Sequence, residues 1–142
     1  MKLHALIEAI TLSGPDPKVK DWIKFMYDKY QVWPLDNRQR CIVWGEGDEQ
    51  EFVNFELETS HSMKGAVEVK WFSSYPHRKG VGLRGMKVLQ DEAQKAGIHL
   101  TLFPWDKGRL SQAALVKFYK KGGFQSIKKG AKSMYWSPKD EK

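Results

Sequence analysis

The run of residues with the clearest chemical potential is His77-Arg78-Lys79-Gly80-Val81-Gly82-Leu83-Arg84, which lies between a predicted strand and a predicted helix. Cations and glycines at such a junction make an anion site. Gly80 and Gly82 let the backbone bend closely around a ligand. The first turn of the following helix points its unpaired amides, and the positive end of its dipole, at the same place. Arg78, Lys79 and Arg84 add formal positive charge. The spacing is not the dinucleotide fingerprint, because a third glycine falls at Gly85, and it is not a G-x-x-x-x-G-K-[ST] loop. Taken alone, the run fits a phosphate cradle and a tight turn with solvated bases equally well.

Other reactive side chains fall into weaker patterns. His4, His61, His77 and His99 have no metal-ligand spacing with one another or with the single cysteine, Cys41, so no metal is expected. Cys41 lies mid-strand, where packing is the simpler role. One cysteine also excludes an intrachain disulfide. No Ser-His-Asp arrangement can be argued.

The elements that must position these residues are legible from periodicity. Asp16 and Pro17 suit a helix start, and Val19, Trp22, Ile23, Met26, Tyr27 and Tyr30 follow at helical spacing until Trp33-Pro34. Residues 40–44 read as a strand and 45–48 as a hairpin-type turn. Residues 51–58 alternate, with Phe52 on one face and Val53, Phe55 and Leu57 on the other. Residues 66–72 (AVEVKWF) form a third strand, with Glu68 and Lys70 opposite Val67, Val69 and Trp71. Residues 73–82 read as a loop. A helix over 83–96 buries Met86, Leu89, Ala93 and Ala96 and stops at Gly97. A strand over 98–103 follows, then an irregular loop over 104–109. Ser111 caps a last helix carrying Leu115, Phe118 and Tyr119, which ends at Gly122-Gly123. Residues 124–127 and 133–136 form a closing strand pair. Residues 1–12 fit a helix or a strand. The order predicts an α/β chain with a mixed sheet and helices packed on it.

The length of 142 residues fits one domain spanning 1–142. No leader pattern or run of some 18 apolar residues is visible, so a cytoplasmic protein is expected. The net charge of +7 is unevenly placed. Residues 45–58 hold six acids and no base, whereas residues 117–142 hold eight lysines and two acids, so the basic excess lies in the second half. That field suits an anionic ligand, a nucleic acid or an acidic surface.

Two stretches together resemble the GNAT acetyltransferase superfamily. YPHRKGVGLRG is similar to its acyl-CoA loop, [RQ]-x-x-G-x-[GA], with His77 at the usual Arg/Gln position. SQAALVKFYKKGGF is similar to its N-x-x-A-x-x-x-Y-x-x-x-G-F helix, with Gln112 at the Asn position and Leu115 at the Ala position. The resemblance covers roughly residues 66–136, and the stretch over 98–124 is also similar to a small phage anti-CRISPR acetyltransferase.

The resemblance implies a GNAT-like mixed sheet flanked by helices. It implies acetyl-CoA wedged between splayed strands 66–72 and 98–103, with Phe72, Arg78, Lys79, Gly80, Val81, Gly82, Arg84 and Gln112 as its binding residues. A backbone amide near Phe72 would polarise the thioester. Tyr119 would protonate the leaving thiolate, and Glu68 would take the amine's proton, ahead of Glu56 and Asp106. Trp105-Asp106-Lys107-Gly108-Arg109 would line the acceptor site, or serve as a structural loop.

The implied activity is N-acetyl transfer to an amine: a protein lysine, an N-terminus or a small molecule. The acidic strip over 45–58 suits a basic acceptor. Two other functions stay open: inhibition of a host defence complex, by lysine acetylation or by blocking a site, and a basic nucleic-acid-binding module that stacks bases on its aromatics. No membrane partner is expected.

Overall fold

The computed structural model describes residues 16–76, 80–105 and 110–139. Three helices and seven strands appear, in the order α1 (Pro17–Lys29), β1 (Gln31–Trp33), β2 (Asp36–Trp44), β3 (Glu51–Thr59), β4 (Ala66–Tyr75), α2 (Val81–Ala96), β5 (His99–Leu102), α3 (Gln112–Lys121), β6 (Gln125–Ser126) and β7 (Met134–Trp136). The strands form one mixed sheet in the order β1-β2-β3-β4-β5-β7-β6. Only the central pair, β4 and β5, is parallel. The expected mixed sheet with packed helices is what the chain forms. The ambiguous stretch 1–12 lies outside the described residues.

Local chemistry accounts for the helices. The Asp16 carboxylate accepts from the Lys18 amide at 2.9 Å and Pro17 occupies the first turn, so α1 starts where a cap and a proline place it. Val19, Trp22 and Met26 are its buried stripe. Gly97 adopts a left-handed conformation (φ 67°) and closes α2. Ser111 accepts from the Ala114 amide at 3.1 Å and starts α3.

Two boundaries differ from the sequence reading by three residues or more, and α2 begins at Val81 rather than Leu83. A short strand, β1, follows α1, and β2 begins at Asp36 rather than Arg40: Trp33 pairs with Asp36 across Pro34-Leu35, so the proline is the corner of a hairpin and not only a helix stop. The strand read over 66–72 continues to Tyr75, because Ser73, Ser74 and Tyr75 pair with Asn54, Val53 and Phe52. Two serines look like a loop in sequence, but the neighbouring strand supplies a ladder that overrides their propensity.

The core lies between the sheet and the helices. Val53, Phe55, Leu57, Val67, Val69, Leu100 and Leu102 face α1, α2 and α3. Glu92 of α2 is buried and joins two elements. It accepts from Lys29 Nζ at 2.6 Å and from Tyr30 Oη at 2.7 Å, tying the end of α1 to α2. Burial alone would raise its pKa, but these two hydrogen bonds outweigh burial and hold it below the usual carboxylate range. Gly85 brings α2 down onto β3. A Cβ at that position would stand 2.9 Å from Val53 Cβ, inside normal contact distance. Gly85→Ala is therefore expected to destabilise the fold by about 1–3 kcal/mol. Denaturant unfolding would measure this, and the loss should be less than additive with Val53→Ala, which removes the methyls in the way.

Candidate active site

The feature that organises the site is a ladder that stops. β4 pairs with β5 at three positions only: Ala66 with His99, Val67 with Leu100, and Glu68 with Thr101. β5 ends at Leu102, while β4 runs on to Tyr75. From Val69 onward the β5 side of β4 has no strand partner among the described residues, which leaves a gap beside the second half of β4. A buried hydrogen bond between Ser60 and Thr101 hydroxyls, at 2.7 Å, pins the closed end.

The helix face of this gap gathers several of the predicted binding residues. Gly80 precedes α2 in a left-handed conformation (φ 74°), with open space where a side chain would be. The first α-helical bond runs from the Arg84 amide to the Gly80 carbonyl. The amides of Val81, Gly82 and Leu83 thus lie in the unpaired first turn, with no side-chain cap from Gly80.

Gly82 differs from the sequence expectation of an unusual φ. It lies within the helix, and what its missing side chain leaves room for is Phe118 of α3 and Ser74 of β4. A Cβ there would meet Phe118 Cζ at 3.0 Å and Ser74 Oγ at 3.2 Å. The end of β4, the start of α2 and the middle of α3 therefore meet at one glycine. Phe118 and Ser74 have positioning roles that the sequence reading missed.

Tyr119 is buried beside that junction, edge-on to Phe118 (5.1 Å between ring centres) and to Phe124 (5.9 Å). Gln112 opens α3 and donates to the Pro104 carbonyl at 3.4 Å, fixing the helix start against the chain leaving β5. Phe72 is half-buried on β4, paired in register with core residue Phe55. Arg84 is turned elsewhere: its guanidinium pairs with Glu51 and lies 4.1 Å from the centre of the Trp44 ring. Arg78, Lys79 and Asp106 lie outside the described residues.

Glu68 occupies the opposite face of the sheet. Alternation along β4 places it away from buried Val67 and Val69, on the last rung before the gap. Its neighbour across β3 is Glu58. Burial first, and then the charge and hydrogen bonding of Glu58, push the Glu68 carboxyl above its ordinary value, with His61 and Lys70 opposing. Lys70 was read as its face-mate, and its ammonium does bridge Glu56 at 3.6 Å and Glu58 at 3.5 Å on that face. A bulge at Lys70, where Glu56 pairs with Trp71 and Leu57 with Val69, breaks the alternation beyond it, so the reading of Trp71 beside Val67 and Val69 does not hold. The same bulge brings Trp71 to the face that Glu68 occupies.

A groove of about 730 Å³ runs over this helix-free face, lined among others by Trp33, Phe52, Glu56, Trp71, Tyr75 and Trp105. Trp105 follows β5 and Trp71 belongs to β4, so the groove spans the gap.

Among the described residues no group of three or more His, Cys, Asp or Glu is arranged to hold a metal ion. No helix among them is long and apolar enough to cross a membrane.

The chain matches no protein-family model and no curated protein. It is similar to a solved structure, that of the anti-CRISPR protein AcrVA5, with a TM-score of 0.52 at 20% identity over 70% of this chain and 98% of that one. The chain has a GNAT-like fold. Two weaker likenesses are to AtaTR bound with AcCoA (TM-score 0.46, 14% identity, 70% of this chain and 68% of that one) and to a KacTA–DNA complex (0.45, 13%, 72% and 69%). In this GNAT-like chain β4 and β5, the two strands singled out from sequence, are the parallel pair among the described strands.

Removing the Glu58 charge relieves one cause of the raised Glu68 pKa. In Glu58→Gln, the Glu68 midpoint followed by carboxyl carbon NMR should move down toward the ordinary glutamate value. An unmoved midpoint would show that Glu58 does not act on it.

Proposed function

We propose that the chain is an acetyl-CoA-dependent N-acetyltransferase acting on an amine by direct attack. The observation that carries this reading is the three-rung β4–β5 ladder, opening into a gap whose mouth holds the uncapped N-terminus of α2. The residues present fit the ligand. Gly80 leaves open space, the first-turn amides of α2 suit a pyrophosphate, and Arg78 and Lys79 supply charge. When bound, acetyl-CoA would supply an activated acyl thioester.

Each residue then has a bounded task. Val81, Gly82 and Leu83 offer backbone N–H groups to phosphate oxygens. A backbone amide of β4 near Phe72 stands at the unpaired edge, ready to donate to a carbonyl oxygen that gains charge. Gln112 holds the start of α3. Glu68 accepts the proton of an ammonium acceptor, which must be neutral to attack, directly or through water. Tyr119, on the helix face of the gap, holds the proton for the leaving sulfur. Acid and base thus stand on opposite faces of the sheet with the gap between them.

Calorimetry tests the ligand. Wild type should bind acetyl-CoA, and Arg78→Glu with Lys79→Glu should weaken binding about ten-fold or more, since hydrogen bonds to charged groups contribute ~1.5–3 kcal/mol each. An unchanged melting temperature would show the variant folded. No binding by wild type would remove the proposal.

Kinetics test the acid and the base. Glu68 works as a base only when ionised, and its raised pKa places the acid limb of the kcat/KM profile above the ordinary glutamate value. Glu68→Gln should abolish that limb and lower kcat/KM on the order of a hundred-fold. Tyr119→Phe should lower kcat with little change in acetyl-CoA affinity. A wild-type profile retained by Glu68→Gln would assign the base elsewhere.

A further inference from the structure

The helix-free face of the sheet carries an ordered strip that the acetyl-transfer reading leaves unused. Along β3, successive residues on that face are Phe52, Asn54, Glu56 and Glu58, and their β4 partners are Tyr75, Ser73, Trp71 and Glu68. One end is aromatic, the middle is neutral and polar, and the other end is acidic. The aromatic end is built as a stack: the rings of Trp33 and Phe52 are 4.9 Å apart, and those of Phe52 and Tyr75 5.4 Å. Tyr75 is 54% exposed and Trp105 61%, so the wall is open to a partner. In the middle, Asn54 donates to Gln39, so the floor is already satisfied. At the acidic end, Glu56, Glu58 and Glu68 face a single lysine, Lys70, with His61 nearby. Carboxylate is in excess there, on a chain whose net charge is +7. A cationic partner is therefore repelled by much of the surface and drawn to this strip.

Size selects among amines. From Phe52 to Glu58 the strip extends about 20 Å at the usual rise of a strand. That is several times the four-carbon stem of a lysine and about the length of six extended residues. Trp71 and the last rung of the ladder put the acidic end beside the gap, where an amine must arrive. The aromatic end runs along the open mouth of the gap and suits apolar stems and cationic heads of flanking side chains.

We infer that this groove, together with the acidic strip that continues it from Glu56 to Glu58 and Glu68, is the acceptor site for a lysine within an extended basic polypeptide segment, its ammonium at the three glutamates and its flanking residues against Trp33, Phe52 and Tyr75. The inference rests on the acetyl-transfer reading and names its acceptor.

The test is calorimetry on the full chain in the presence of coenzyme A, which prevents turnover. The probe is a basic peptide of about eight residues with one central lysine among arginines and serines. Replacing that lysine by norleucine should weaken binding about ten-fold. Trp33→Ala and Tyr75→Ala should each weaken it about two- to thirty-fold, the range for a lost cation–aromatic contact. Glu58→Gln, a surface change that does not threaten the fold, should weaken it as well. Acetyl-CoA affinity should stay unchanged in all three variants.

Peptide binding indifferent to these substitutions would overturn the inference. So would 1,5-diaminopentane binding as tightly as the peptide, which would mark a small-amine site. A photo-crosslinker at position 75 that joins residues 1–15 of the same chain would show the groove to be filled from within and would also overturn it. Wild type that binds acetyl-CoA but no peptide refutes this inference alone, whereas failure to bind acetyl-CoA refutes the acetyl-transfer reading.

Discussion

Everything distinctive in this molecule depends on β4 outrunning β5. Backbone N–H and C=O groups demand partners, and a strand in the middle of a sheet normally finds them on both sides. Here β4 keeps its β3 neighbour over its full length but loses β5 after Glu68. An edge is thereby created inside a sheet rather than at its rim. That location makes it usable, because the surrounding core holds it rigid. The Ser60–Thr101 hydrogen bond at the closed end and the Gln112 contact with Pro104 beyond β5 keep the two strands from drifting.

The division of labour between the two faces follows from that opening. On one side, helices cover the sheet, and Tyr119 and the uncapped start of α2 lie there. On the other, no helix among the described residues covers β3 and β4, and charged and aromatic side chains lie in the open. In the proposed function, a gap that joins a helix-lined side to an acidic, aromatic side would suit a reaction between an anionic donor and a cationic acceptor, each drawn to its own side.

Much of the fold was legible and part of the site was not, for physical reasons. Asp16, Pro17, Gly97 and Ser111 mark helix ends through backbone chemistry that is local, so α1, α2 and α3 could be read from the chain. Alternation in β3 was equally plain, down to Phe52 facing away from Val53. The end of β4 was hidden, because Ser73, Ser74 and Tyr75 owe their strand conformation to β3 rather than to themselves. The face of Trp71 was hidden too. A one-residue bulge reverses alternation, and nothing in AVEVKWF announces it. The aromatic wall combines both difficulties: Trp33 lies on a strand mistaken for a helix stop, and Tyr75 lies on one taken for a loop. Gly82 was picked out as a glycine that matters, but the packing reason, Phe118 pressed against it, requires the third dimension.

That contact at Gly82 has a consequence for how such a chain can change over time. The start of α2 and α3 share one interlocked joint, so the turn before α2 and the helix that carries Tyr119 cannot drift apart in sequence independently. A bulkier residue at Gly82 requires a smaller one on α3, and a shifted α3 carries the start of α2 with it. The sheet face across the gap has no such coupling. Its side chains can be exchanged one at a time while the joint stays intact, so in a lineage built on this frame the open face would be expected to change far more readily than the joint.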